Sequence, residues 1–190
     1  MERAALIEEA RLTFNGIIDF PLPIVAAVNG PAVGLGCTLA VLCDLVYVGR
    51  SAYLADPHVS VGLTAGDGGA PFWPLTMSIV KAKELLFFGS RISAGDAVAL
   101  GLANGAVADE DLMEHTIGVA ERLAGLPAQA LRSTKRAVNL HISRAANAVL
   151  DYALAAEFQK LGIPVEVESG KTAHLRAKIA GPSGTLALGV

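Results

Sequence analysis

The chain has 190 residues, 53% of them hydrophobic and 17% charged, with a net charge of −3 and a mean hydropathy of +0.50. That length holds one domain with a substantial core, and so apolar a composition without an uninterrupted run of 18 apolar residues points to surface buried in an oligomer, not to a membrane span. A net acidic chain with no basic stripe interleaved with aromatics excludes nucleic acid as a partner and leaves small molecules; the acids of MERAALIEEARL, where an export signal needs a basic start, make a cytoplasmic location the expectation.

Residues 2 to 18 place Leu6, Ile7, Ala10, Phe14, Ile17 and Ile18 at helical spacing with charges opposite, which predicts an amphipathic helix ended by Pro21 and Pro23. PIVAAVNG reads as a short strand buried on both faces and closed by the Asn29-Gly30-Pro31 turn. AVGLGCTLAVLCD then opens an apolar helix after Gly34 and Gly36, and DLVYVG supplies a second buried strand. Strand, turn, helix and strand in that order predict parallel pairing with a right-handed crossover. Cys37 and Cys43 lack CxxC spacing or nearby histidines and read as small buried side chains, not as zinc ligands or a disulfide.

From 51 to 71 the chain is rich in turns, and WPLTMSIVKAKELLFFG predicts one further helix. Ser93-Ala94-Gly95-Asp96 has the spacing of a capping box opening a short helix to Leu100. NGAVA predicts an edge strand, Asp109 or Asp111 the start of a helix to about Gly125, and Pro127 the first turn of another to about Ser143, with a third from Arg144 to Leu161. The stretch from 162 to 190 loses periodicity and reads as an irregular tail. The expected layout is α/β over residues 1–108 and helical over 109–161, followed by that tail.

Glycines that open a helix after a buried strand suit a phosphate cradle. Gly34-Leu35-Gly36 nevertheless lacks both the GxGxxG spacing and the P-loop lysine. The alternative use of such a turn is an oxyanion hole, in which backbone N–H groups face the charge developing on a carbonyl oxygen.

PIVAAVNGPAVGLGCTLAVLCDLVYVG, followed in register by GLTAGDGGAPFWPL, ELLFFGSRISAGDAVALGLAN and a helix containing STKRAV, resembles the crotonase (enoyl-CoA hydratase/isomerase) superfamily over about residues 20 to 160. The resemblance implies an α/β spiral of ββα turns with a helical C-terminal trimerisation part, and trimers often paired into hexamers. It also implies acyl-CoA substrates whose thioester oxygen is held by two backbone amides, with CoA as part of the substrate and no separate cofactor or metal. One of those amides is implied to be that of Leu35. The family's other oxyanion amide lies in a block before the first helix, and this chain begins after that block, so an N-terminally truncated core and impaired hydration are expected.

Thr38 and His58 stand where the hydratases of the family carry two glutamates that position and deprotonate water. Threonine cannot act as a base near neutral pH, whereas an imidazole with its ordinary pKa of about 6.5 can. The Pro57-His58, Gly66-Asp67-Gly68 and Trp73-Pro74 pattern is also similar to the 6-oxocamphor hydrolases, crotonase relatives that cleave carbon–carbon bonds in β-diketones. There a His and an Asp at this spacing work together, so His58 and Asp67 are the implied acid/base pair. Asp67 would accept a hydrogen bond from one ring nitrogen while the other activates water. Against this stands the plainer reading of Asp67 as a helix cap and His58 as a core residue.

Gly34, Gly36, Thr38, Gly66 and Trp73 are the substrate-binding candidates, with core packing the competing use of Trp73 and its neighbour Phe72. His115, His141 and His174 carry no chemistry in this reading, and Lys171, Arg176 and Lys178 read as solvated charges. Three functions stay open: an enoyl-CoA hydratase or isomerase, a β-diketone or acyl-CoA hydrolase, and a non-catalytic subunit of the same fold.

Overall fold

The structure is a computed structural model that describes residues 2–160 and a two-residue strand at 188–189. The rest of the expected tail, with Lys171, His174, Arg176 and Lys178, lies outside the described residues. Among the described residues no helix is long and apolar enough to cross a membrane.

The first helix, α1 (Glu2–Ile18), buries Phe14 and Ile18 as its pattern requires and stops before Pro21. Strand β1 (Val25–Val28) pairs in parallel with β3 (Leu45–Gly49), and β6 (Gly105–Val107) adds to the far side of β3. β7 (Leu188–Gly189) lies antiparallel on the other edge of β1. The expected crossover is made by α2 (Leu35–Val41), which buries Cys37, Ala40 and Val41, and both cysteines are free and buried.

A second, smaller sheet lies outside the sequence expectation. β2 (Ala32–Val33) pairs in parallel with β4 (Tyr53–Ala55), which pairs antiparallel with β5 (Ile92–Ser93). Strands of two or three residues show no period to read, so the region from 51 to 71 looked like turn alone.

The single helix expected after Trp73 is two: α3 (Gly69–Thr76) and α4 (Ile79–Phe88). Pro74 removes an amide donor inside α3, and Ser78 caps the new helix by accepting from the Lys81 N–H at 3.2 Å. Ser93 caps α5 (Ala94–Ala99) by accepting from the Asp96 N–H, and its hydroxyl donates to the Asp96 carboxylate at 2.6 Å. The acid of the expected capping box thus bonds the serine hydroxyl.

The C-terminal helices are α6 (Leu112–Ala124) and one continuous α7 (Ala128–Lys160). The break expected near Ser143 does not occur, because neither Pro nor Gly stands there and nothing stops propagation. α7 packs along α1 and α3. Its docking is polar at one end: buried Lys135 donates to the Leu22 carbonyl at 2.8 Å and to Asp44 at 2.7 Å, and Asn139 donates to the Ile18 carbonyl. Asp44 also accepts the Ile24 N–H, so one carboxylate ties α7 to the entry of β1.

Lys135→Met keeps most of the volume but strips Asp44 of its cation, and urea unfolding should register a loss of about 3 kcal/mol. Arg136→Ala removes an ion pair to Asp19 in which both side chains are more than half exposed. That second change should cost less than about 1 kcal/mol; equal losses from the two would refute the buried anchor.

Candidate active site

Parallel pairing of β2 with β4 sets Val33 beside Ala55, and the chain leaves both strands at the same end. One exit is Gly34-Leu35-Gly36 and the other is Asp56-Pro57-His58. The Gly34 N–H donates to the Ala55 carbonyl at 2.9 Å, which carries the pairing one residue into the glycine turn. Gly34 has φ +56°, a conformation that favours glycine, and a Cβ on it would lie 3.5 Å from the His58 ring. The turn therefore packs on the imidazole. Leu35 is the first residue of α2, so its N–H belongs to the amides that have no acceptor inside the helix.

His58 sits among three carboxylates. Its Nδ1 is 2.5 Å from Asp56 Oδ1, the same oxygen that accepts the His58 backbone N–H at 3.3 Å. Its Nε2 is 3.7 Å from Asp67 Oδ2 and 3.8 Å from Glu157 Oε1. Those last two separations are longer than a hydrogen bond and lie within ion-pair range. Asp56 is 1% exposed, and Asp67 and Glu157 are largely buried. Thr38, buried on α2, donates to Asp67 Oδ1 at 3.2 Å and leaves Oδ2 toward the ring.

The expected pair is thus brought together with its roles rearranged. Asp56, not Asp67, takes the orienting hydrogen bond on Nδ1, and Asp67 faces the other nitrogen. Helix α3 has Gly68 as its N-cap residue and no side-chain cap, so Asp67 is not its cap either. Trp73, expected to bind substrate, is 1% exposed in the core with Phe72 beside it, so packing is its use. Gly66 meets the backbone of α7: a Cβ there would lie 2.5 Å from the Ala153 carbonyl and 2.6 Å from Glu157 Oε2. It lets Glu157 approach and is a packing glycine. Gly36 has open space where a side chain would stand. His115 packs edge-on against Tyr47, away from the cluster.

Sequence reasoning missed two members. Asp56 had a local signal, since Asp-Pro-x is a turn in which the carboxylate accepts the N–H two residues on. Glu157 follows Ala146, Leu150, Ala153 and Leu154 along the buried face of α7, and an acid at a core position is itself the signal.

The electrostatics follow from this crowding. The hydrogen bond that His58 donates to Asp56, reinforced by the charges of Asp56, Asp67 and Glu157, raises His58 from 6.5 to about 9 against the opposing effect of burial. Burial, then repulsion from Asp67, raises Glu157 to about 7. Burial raises Asp67 as well, with His58 opposing. Near neutral pH the imidazole is therefore mainly a cation, which corrects the expected free base, and Glu157 is poised to gain or lose a proton.

The family model described as enoyl-CoA hydratase/isomerase matches residues 2–175. A probable enoyl-CoA hydratase of Rhodobacter capsulatus is 33% identical over 174 residues, 91% of this chain and 67% of that protein. The solved enoyl-CoA hydratase/isomerase of Mycobacterium paratuberculosis is 52% identical with a TM-score of 0.80, over 83% of this chain and 63% of that one. A β-diketone hydrolase of the cyanobacterium Anabaena, bound to (S)-3-oxocyclohexyl acetic acid, is 27% identical with a TM-score of 0.78, over 84% and 64%. The α/β architecture with its helical C-terminal part is thus the crotonase fold. The chain spans about half the length of several curated relatives it matches, from 40% to 56%.

Both upward shifts mean that the folded state holds protons the unfolded chain has released, so stability falls as pH rises. The His58 contribution is complete below 6.5 and is lost as pH climbs through about 9, and the penalty of Glu157 grows from 4.5 to about 7. The melting temperature should decline steadily from pH 5 to 9. Glu157→Gln should flatten the lower half of that decline and stabilise the chain at pH 8, by no more than about 3 kcal/mol. A melting temperature that climbs over this range would contradict the charge arrangement.

Proposed function

Because the chain belongs to the enoyl-CoA hydratase/isomerase family, we propose that it is an enzyme of that scaffold in which Glu157, Asp67 and His58 activate water against a carbonyl carbon. The reaction it suits best is hydrolytic cleavage of a carbon–carbon bond in a β-dicarbonyl compound. One observation carries this reading: the imidazole ringed by three carboxylates, one of them held by Thr38.

The steps balance with water as the only co-reactant. Glu157 as carboxylate takes a proton from water, and the oxygen adds to one carbonyl carbon. The Leu35 N–H donates to the resulting oxyanion, the kind of donor worth about 2.7 to 4 kcal/mol at a transition state. The tetrahedral centre collapses, the carbon–carbon bond breaks, and its electron pair becomes the enolate of the second carbonyl. His58, protonated at Nε2, gives that carbon its proton. The products are a carboxylic acid and a ketone in one molecule when the diketone is cyclic. Asp67, held by Thr38, balances the imidazolium before transfer.

Gly34 and Gly36 support this assignment by keeping side chains away from the Leu35 amide. The apolar groups exposed on α4, Ile79, Val80, Phe87 and Phe88, support assembly into a homo-oligomer of the trimeric or hexameric kind. A second reading is hydration or isomerisation of an acyl-CoA thioester, favoured by the names of the Rhodobacter and Mycobacterium relatives. In that case the same amide would hold the thioester oxygen and Glu157 with His58 would exchange the protons.

Incubation with a cyclic β-diketone and, separately, with crotonyl-CoA divides the readings by which compound disappears. The diketone should be consumed, and His58→Ala and Glu157→Gln should each lower kcat by about 10²- to 10⁴-fold. Turnover of crotonyl-CoA alone would replace the first reading by the second, and turnover of neither would leave a non-catalytic subunit. The rate should rise as Glu157 loses its proton near 7 and fall as His58 loses its own near 9. A maximum below pH 6 would contradict these roles.

A further inference from the structure

We infer that Asp56 is the positioning residue that selects Nε2 as the working nitrogen of His58 and keeps that side chain a proton donor. The inference rests on the reading of His58 as the proton-transfer group and assigns the control of it to a residue two positions away.

Asp56 Oδ1 accepts from both the backbone N–H and the ring Nδ1 of His58, at 3.3 and 2.5 Å, so one oxygen fixes the turn and the ring together. Proline between them has a fixed φ and removes the freedom that would let the turn open. The ring is closed in from another side by Gly34, whose Cβ would touch Cε1. With Nδ1 committed, only Nε2 faces the space between Asp67 and Glu157.

The carboxylate is itself immobilised. It is 1% exposed, and a Cβ on Gly69 would lie 2.0 Å from its Oδ2 and 2.8 Å from Leu86. Oδ2 has no hydrogen-bond partner among the described residues, so the imidazolium is the nearby cation that offsets the cost of the buried charge. Around the ring stand Asp56 on its own segment, Asp67 on the loop before α3, and Glu157 on α7, with the Cys37 thiol of α2 near Asp56. Asp56 alone touches the ring at hydrogen-bond distance, and its contribution to holding the proton is the largest of these.

A purely structural turn would behave differently from a positioning residue, and the His58 ring reports which it is. In the full chain labelled with ¹⁵N-histidine, long-range ¹H–¹⁵N correlations follow both ring nitrogens from pH 5 to 10, with His58→Gln assigning the signals. Wild type should keep a proton on Nδ1 throughout and lose the one on Nε2 near pH 9. Asp56→Asn, which keeps the shape and removes the charge, should lower that midpoint by at least about one unit toward the ordinary 6.5. It should also cut kcat by about 10- to 100-fold, leave KM within about twofold, and move the alkaline limb of the rate profile with the midpoint. Should Asp56→Asn not fold, the wild-type spectra still decide: an unprotonated Nδ1 between pH 6 and 8 overturns the inference. So does an Asp56→Asn chain whose His58 titrates as in wild type. His58→Ala with undiminished turnover would instead sink the functional reading beneath it, so the two failures are distinguishable.

Discussion

Two short strands, Ala32–Val33 and Tyr53–Ala55, run in parallel, and that pairing sets the turn that carries Leu35 beside the turn that carries His58. Parallel pairing sends both chain exits to the same edge, the place where open α/β sheets gather their ligands. One exit is a glycine turn that begins a helix, and the other is an Asp-Pro-His turn. One backbone hydrogen bond, from the Gly34 N–H to the Ala55 carbonyl, joins the site's sequence-distant halves at this edge, and the Thr38 N–H bonds the Gly34 carbonyl as α2 starts. Thr38 then fixes Asp67, and Gly66 admits α7 with Glu157.

The cluster runs against the usual economy of a core. Three acids and one base share a largely buried space, and two of the carboxylates carry an oxygen with no hydrogen-bond partner among the described residues. A region assembled for stability alone would bury methyl groups there. Local rules of polar satisfaction are commonly broken where function is served. Burial displaces Glu157 upward, whereas His58 is displaced upward against burial, by the hydrogen bond to Asp56 and the negative charge around the ring.

What could be read from the sequence divides by length scale. The β1-α2-β3 unit was legible because two apolar runs of buried-strand length flank a glycine-opened helix. The β2 and β4 strands were not, because two or three residues carry no periodicity. α7 was read as two helices although Ser143-Arg144 contains no breaker, and α3 with α4 was read as one although Ser78 is a good cap. At the site, His58 and Asp67 were singled out by register with a known pattern, yet which carboxylate bonds Nδ1 was not legible. That depended on a 2.5 Å contact from Asp56, which periodicity cannot display. Glu157 lay almost a hundred positions away, visible only as a charge on an apolar stripe.

α7 carries one more implication. An unbroken helix is a stiff strut, and Glu157 lies about 33 Å along it from Lys135, at 1.5 Å per residue. Lys135 and Asn139 moor one end to the end of α1 and the chain entering β1, while Gly66 seats the other against the loop that carries Asp67. The strut therefore spans the distance between the sheet's entry and the His58 cluster. The 3.8 Å separation of Glu157 from His58 depends on the seating of the whole helix, including contacts far from the cluster.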